Sequence, residues 1–350
     1  MERILIVRLG AMGDVVHALP AVAALRRAIP GARIGWVVEQ RWAELLSATG
    51  AGGPAGAQEK PLVDQLHLVD TKAWRAALFS GETWREVRVV SGELTALRYD
   101  AAIDFQGLVK SAFFASWSGA PTVAGFARPK ERVAAMLYTR CVETSAAHVV
   151  EQNLELVATL AHGAQIATHD LLPRAAATET WCEAELRRRA IREFVVISPG
   201  AGWGAKVWPG ERYGQVARSL AADGLTALVN FGPGEEELAR SVVGASGATS
   251  QAIQCSVGEL VALTRRARLF VGGDSGPMHM AAALRVPVVA IFGPTDPARN
   301  GPYGTRSIVL RSRTSETSYS HRAGSDPGLL SITADEVSAA ARQLLEPPHA

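Results

Sequence analysis

Asp14, Lys206 and the turn Asp274-Ser275-Gly276 are the residues of this sequence whose types and surroundings could do chemistry. Each follows a short apolar run of buried-strand type and a glycine-punctuated loop, and each loop leads into a helical pattern. A Gly-rich turn opening a helix presents backbone N–H groups and the positive end of the helix dipole, a setting for a phosphate or pyrophosphate. The densest case is the stretch 269–297, LFVGGDSGPMHMAAALRVPVVAIFGPTDP. Gly272 and Gly273 end its first apolar run, Asp274 and Ser275 are good N-cap types, and Pro277 suits a first helical turn. The loop Gly293-Pro294-Thr295-Asp296-Pro297 follows the next apolar run, so both loops leave carboxyl ends of strands. Ligands of open parallel sheets sit there. A capped helix between two core strands has the same pattern, and at this level both readings stand.

The individual side chains carry similar pairs of readings. Asp14 ends the loop after residues 4–7 and is either a carboxylate for proton transfer or the N-cap of a helix over 15–29. Lys206 lies on Pro199-Gly200-Ala201-Gly202-Trp203-Gly204-Ala205-Lys206, as an anion ligand or as a solvated loop lysine. His17 and His279 stand near helix starts, where an imidazole donates to a phosphate or packs. Glu235, Glu236 and Glu237 open a helix, which the dipole alone would favour. Neither Gly-rich turn has the spacing of the dinucleotide fingerprint, and the P-loop pattern is absent, which argues against nicotinamide and P-loop enzymes. No His, Cys, Asp or Glu group has metal-ligand spacing, and no Asp-x-Asp pair is present.

The elements that must position these residues alternate as strand and helix. Strands are expected near 4–7, 34–38, 66–69, 101–105, 194–197, 225–231, 269–271 and 287–292, with helices at 15–29, 42–46, 84–97, 108–117, 149–160, 257–265, 278–284 and 333–345. That order predicts an α/β protein with mainly parallel sheets. Two similar halves imply two Rossmann-like domains facing each other across a cleft: residues 1–165, a linker over 166–192, and residues 193–350. Residues 50–61 read as a Gly/Pro/Ala-rich surface insertion. At 350 residues the chain is ample for two cores. A formal charge of +2 gives no argument for nucleic acid as a partner. Three scattered cysteines suggest a reducing, cytoplasmic setting. No signal peptide is expected, and no run approaches the roughly 18 apolar residues of a membrane span.

Four segments together resemble glycosyltransferase family 9. They are residues 9–20 (LGAMGDVVHALP), 104–112 (DFQGLVKSA) and 206–209 (KVWP), with DSGPMH at 274–279 joined to FGPTDP at 292–297. The resemblance implies a GT-B fold and transfer of heptose from ADP-heptose to the Kdo-lipid A inner core of lipopolysaccharide, with inversion and without a metal or other cofactor. It makes Asp14 the general base. It places the donor against Lys206, Asp274, Ser275, Gly276 and His279, with Glu235 or Glu236 near the ribose. Gly13, His17, Gln106, Lys110, Arg128 and Lys130 fall on the acceptor side, where cations would meet carboxylates and phosphates. Peripheral contact with the inner-membrane surface is a further expectation. Ala201-Gly202-Trp203-Gly204 departs from the threonines usual in the nearest members, and residues 312–327 match no motif. Another family 9 acceptor, a nucleotide-sugar epimerase and a binding module that has lost chemistry are the alternatives.

Overall fold

The computed structural model describes residues 1–47, 62–161, 170–318, 324 and 326–346; the insertion expected at 50–61 lies outside them. Continuous apolar runs form the strands: Ile4, Leu5, Ile6 and Val7 of the first have no exposed surface, as a strand covered by helices on both faces requires. Six strands form one sheet: β1 (Arg3–Val7), β2 (Arg33–Glu39), β3 (Gln65–Val69), β4 (Ala101–Asp104), β5 (Thr122–Phe126) and β6 (Arg140–Val142). They pair in the order β3-β2-β1-β4-β5-β6, all parallel. Six more form a second sheet: β7 (Phe194–Ser198), β8 (Thr226–Asn230), β9 (Ser250–Ile253), β10 (Leu269–Gly273), β11 (Val288–Phe292) and β12 (Ser307–Arg311). Their order is β12-β11-β10-β7-β8-β9, again all parallel.

The two orders are the same. In each sheet the chain reverses its direction of progress between the first and fourth strands, β1 and β4 in one case and β7 and β10 in the other. The carboxyl ends of those pairs are where an open doubly wound sheet binds ligands. Two compact units contain the sheets, Met1–Pro173 and Arg174–Ala350. Within the expected linker over 166–192, residues 166–169 are outside the described set and Ala176–Arg188 is a helix. It packs on the Val257–Arg266 helix, where Glu179 pairs with Arg265 at 3.0 Å and Arg266 at 2.5 Å. The stretch expected as a helix at 42–46 is a 3-10 turn, Gln40–Leu45. No helix among the described residues is long and apolar enough to cross a membrane.

His67 on β3 shows how the first unit fastens a helix to its sheet. It is fully buried, with Nδ1 at 3.2 Å from Glu93 Oε2 and Nε2 at 2.8 Å from the Tyr99 hydroxyl. The carboxylate can only accept, so Nδ1 carries the proton and Nε2 accepts from Tyr99. Burial lowers the His67 pKa more than Glu93 raises it. The folded state therefore prefers neutral imidazole: this stabilisation is complete above the unfolded value of about 6.5 and is lost as pH falls through it. Melting temperature should decline between about pH 7 and about pH 5, and His67→Gln should flatten that decline while lowering stability at neutral pH. An unchanged acid slope in the variant would remove His67 as its source.

Candidate active site

In the first unit the loop after β1 delivers Asp14. The helix there runs Met12–Ala28, with Ala11 at the N-cap, so Asp14 sits in its first turn and is not the cap expected for a helix starting at residue 15. Its carboxylate accepts from the Ala11 N–H at 3.3 Å and meets Arg8 Nη2 at 2.6 Å, with Lys130 Nζ at 3.9 Å. Burial pushes its pKa up, but the Arg8 and Lys130 charges and the two hydrogen bonds overcome this, and the net shift is downward. Asp14 keeps 32% of its side chain exposed while Arg8 keeps 5%, so a guarded carboxylate still faces solvent.

The loop after β4, the neighbouring strand, is built on Asp104. This fully buried carboxylate accepts from the N–H groups of Gln106 (2.8 Å) and Gly107 (3.2 Å) and from the hydroxyls of Ser111 (2.8 Å) and Tyr138 (2.6 Å). Burial outweighs those bonds and raises its pKa. Gly107 takes φ +68°, a left-handed conformation that favours glycine. Gln106 Oε1 then accepts from the Leu9 N–H at 2.8 Å, and Arg8 donates to the Phe105 carbonyl, which ties this loop to the one carrying Asp14. Lys110 Nζ donates to Thr71 Oγ1 at 3.1 Å. Gly13 and His17 lie buried in the Met12–Ala28 helix; His17 packs edge-on to His148 at 5.8 Å, and Asn153 donates to its carbonyl. Arg128 is 89% exposed and pairs loosely with Glu143 at 3.5 Å. Asp14, Gln106, Lys110 and Lys130 thus gather at the first switch point.

In the second unit the loop after β7 delivers Lys206. Trp208 anchors it: the indole is fully buried, donates to the Ile332 carbonyl at 3.1 Å and stands edge-on to Tyr213. Lys206 is 9% exposed and not a solvated loop lysine; Nζ contacts Asp274 Oδ2 at 2.5 Å and lies 3.9 Å over the Trp203 ring. His279 Nε2 approaches Asp274 Oδ1 at 3.2 Å. Burial works to raise the Asp274 pKa, yet His279 and Lys206 hold the carboxyl far below its usual range. Ser275 occupies the N-cap of the Gly276–Ala283 helix, but its hydroxyl makes no capping bond. It and the Thr295 hydroxyl after β11 are buried without a hydrogen-bond partner among the described residues, so both are available to a ligand.

The glutamates at the start of the Glu236–Ala245 helix separate. Glu235 accepts from the Gly232 N–H at 2.8 Å and lies over Gly200, where an added Cβ would come within 2.0 Å of its carboxylate. Glu236 is exposed and accepts from the Gly234 N–H at 3.2 Å. Of the two, only Glu235 is turned onto the loop that leads to Lys206. Sequence reasoning missed Arg8, Asp104 and Thr295 as individuals; a charged residue directly at the end of a buried strand was the available signal for the first two. Among the described residues no three His, Cys, Asp or Glu side chains are grouped as metal ligands.

Two doubly wound units of the same strand order, each with a charged cluster at its switch point, make a fold of GT-B type. The fold is similar to that of the solved E. coli heptosyltransferase WaaC with ADP, at TM-score 0.76 and 28% identity over 98% of this chain and 99% of that one. The glycosyltransferase family 9 (heptosyltransferase) profile matches residues 87–327, and the chain belongs to that family. Among curated proteins it is 31% identical to lipopolysaccharide heptosyltransferase 1 of Pseudomonas aeruginosa over 321 residues, 89% of this chain and 84% of the relative. The enzyme of the same name from Escherichia coli K12 is 31% identical over 323 residues, 88% and 93% of the two chains.

Proposed function

We propose that the chain transfers heptose from ADP-heptose to the Kdo-lipid A inner core of lipopolysaccharide, on the cytoplasmic side of the membrane, as a heptosyltransferase I. Similarity over most of both chains to enzymes of that name supports the reaction. The observation that carries the chemistry is the pair of clusters: Arg8-Asp14-Lys130 in the first unit and Lys206-Asp274-His279 in the second. The second cluster, with the Ser275 and Thr295 hydroxyls, would hold the donor diphosphate, and Glu235 would meet the ribose. Gly276 supplies a helix-start N–H that no intrahelical carbonyl can satisfy, a further phosphate donor.

Acceptor carboxylates and phosphates would meet Lys130 and Lys110, with Arg128 at the exposed margin. Asp14 would take the proton of the acceptor hydroxyl as its oxygen attacks the anomeric carbon and ADP leaves from the opposite face. A carboxylate held at low pKa is a weak base, which suffices because the hydroxyl becomes strongly acidic only as the new bond forms. Leaving-group charge would be stabilised by Lys206 and the helix N-terminus, without a metal. Mass spectrometry of a Kdo-bearing acceptor incubated with ADP-heptose should show addition of one heptose and release of ADP, with EDTA present or absent. Donor consumption without change of the acceptor would reject the transfer, and loss of activity in EDTA restored by magnesium would reject the metal-free mechanism.

A further inference from the structure

The loop that delivers Lys206 offers a ligand few side chains. Apart from Trp203, residues 199–205 are only proline, glycine and alanine, so the loop has no hydroxyl, amide or charge of its own to turn toward a phosphate. What it can add to its backbone N–H groups is the lysine that follows and whatever holds that lysine. Local backbone brings Trp203 to it. The loop closes in a 3-10 turn over Gly204–Lys206 with Trp203 at the N-cap, and the Lys206 N–H donates to the Trp203 carbonyl at 3.1 Å. Side chains three positions apart fall on one side of such a turn. The turn is fixed in its place, since the Val207 N–H donates to the Gly204 carbonyl at 3.0 Å and the Asp326 N–H to the Ala205 carbonyl at 3.3 Å. The indole and the lysine stem therefore leave together, and the ammonium stands 3.9 Å over the ring.

A lysine left to itself is a poor fixed donor. Its stem has many rotamers, and freezing them when a ligand arrives subtracts from affinity. In this structure they are frozen beforehand, by Asp274 through Oδ2 and, at 3.4 Å, its carbonyl, and by the Trp203 ring. The two holders differ in kind. A carboxylate cancels the charge that it fixes, whereas an aromatic face attracts a cation through its quadrupole and leaves the net charge in place. We propose that Trp203 is a positioning residue for the donor: its ring face holds the Lys206 ammonium where the diphosphate meets it, preorganised and shielded from water, without neutralising it. The proposal rests on Lys206 being the diphosphate ligand of the proposed donor site. It makes nucleotide affinity in this chain depend on a ring that touches the ammonium, in a loop that has no side-chain hydroxyl to share the task.

Calorimetric titration of ADP into the full chain tests this. Trp203→Leu keeps an apolar side chain and removes the ring, and should weaken ADP about three- to tenfold; Trp203→Phe keeps a smaller aromatic face and should recover part of that loss. A ring that only shaped the loop would matter as much without the lysine as with it. Trp203→Leu is therefore repeated in a chain that already carries Lys206→Met with Asp274→Asn, where it should cost nothing further. Melting curves show that each variant is folded at the temperature of titration. Equal ADP affinity in Trp203→Leu and the unsubstituted chain overturns the proposal, as does the same loss in both backgrounds or a phenylalanine variant no better than the leucine one. If Trp203→Leu fails to fold, Trp203→Phe in the two backgrounds decides by the same comparison, with a smaller loss expected only where Lys206 is present. No ADP binding by the unsubstituted chain, or none of it lost with Lys206, rejects the donor site and this proposal together; binding that depends on Lys206 but not on the ring rejects this proposal alone.

Discussion

Asp14→Asn should lower turnover by about two to four orders of magnitude, the usual contribution of a general base. Asparagine keeps a carbonyl oxygen for the Ala11 N–H and for Arg8, so the helix start survives. The charge does not, and the nearly buried Arg8 is left without its counterion. Loss of about 1 to 3 kcal/mol of stability follows from that, so turnover is to be compared where both proteins are folded by circular dichroism. Affinity for ADP, which the proposed donor site holds in the other unit, should stay the same. The pH profile gives a second measure. The downward shift keeps Asp14 ionised well below neutrality, so the base remains competent as pH falls until its depressed pKa is reached. Activity in the unsubstituted enzyme should then show no acid limb near pH 6 to 7 that Asp14→Asn removes. Near-normal turnover in the variant would reduce Asp14 to a structural carboxylate.

Lys206→Met should weaken ADP binding about tenfold to a hundredfold, the scale of a lost charge-assisted contact. It should also destabilise the second unit by about 1 to 3 kcal/mol, because the buried Asp274 keeps only His279 as its side-chain partner. The double variant Lys206→Met with Asp274→Asn separates these effects. It removes the stranded charge, so melting temperature should recover while ADP affinity, measured by calorimetry, stays low. Recovery of both would make the pair purely structural, and unchanged affinity in the single variant would remove Lys206 from the donor site.

The alternation of buried strands and helices was legible because parallel strands covered on both faces are nearly continuous apolar runs, as Ile4–Val7 and residues 288–292 are. Four strands, β5, β6, β9 and β12, were not. β6, β9 and β12 lie at sheet edges, and β12 buries none of its residues fully, so its sequence carries no such run. The Ala176–Arg188 helix escaped notice because Cys182 is its one buried residue and the rest reads as polar linker. Motif residues at the carboxyl ends of strands were found, yet their partners were not. Lys206 reads as solvated until Asp274, 68 positions away, is seen beside it, and Arg8 reads as the flank of a strand until it is seen between Asp14 and the Phe105 carbonyl. Such pairings depend on strand order, which apolar periodicity does not encode.

The contact between Gly200 and Glu235 has an evolutionary consequence. A methyl group at position 200 would occupy the space of the carboxylate, while the Gly232 N–H holds that carboxylate in place. The two positions are therefore coupled: a lineage that gained Gly200→Ala would have to swing the Glu235 side chain away or shorten it, giving up the bond from the Gly232 N–H, and on the proposed donor site would change its contact with the ribose at the same step. Across homologues, glycine at the first position and glutamate at the second should be inherited as a pair.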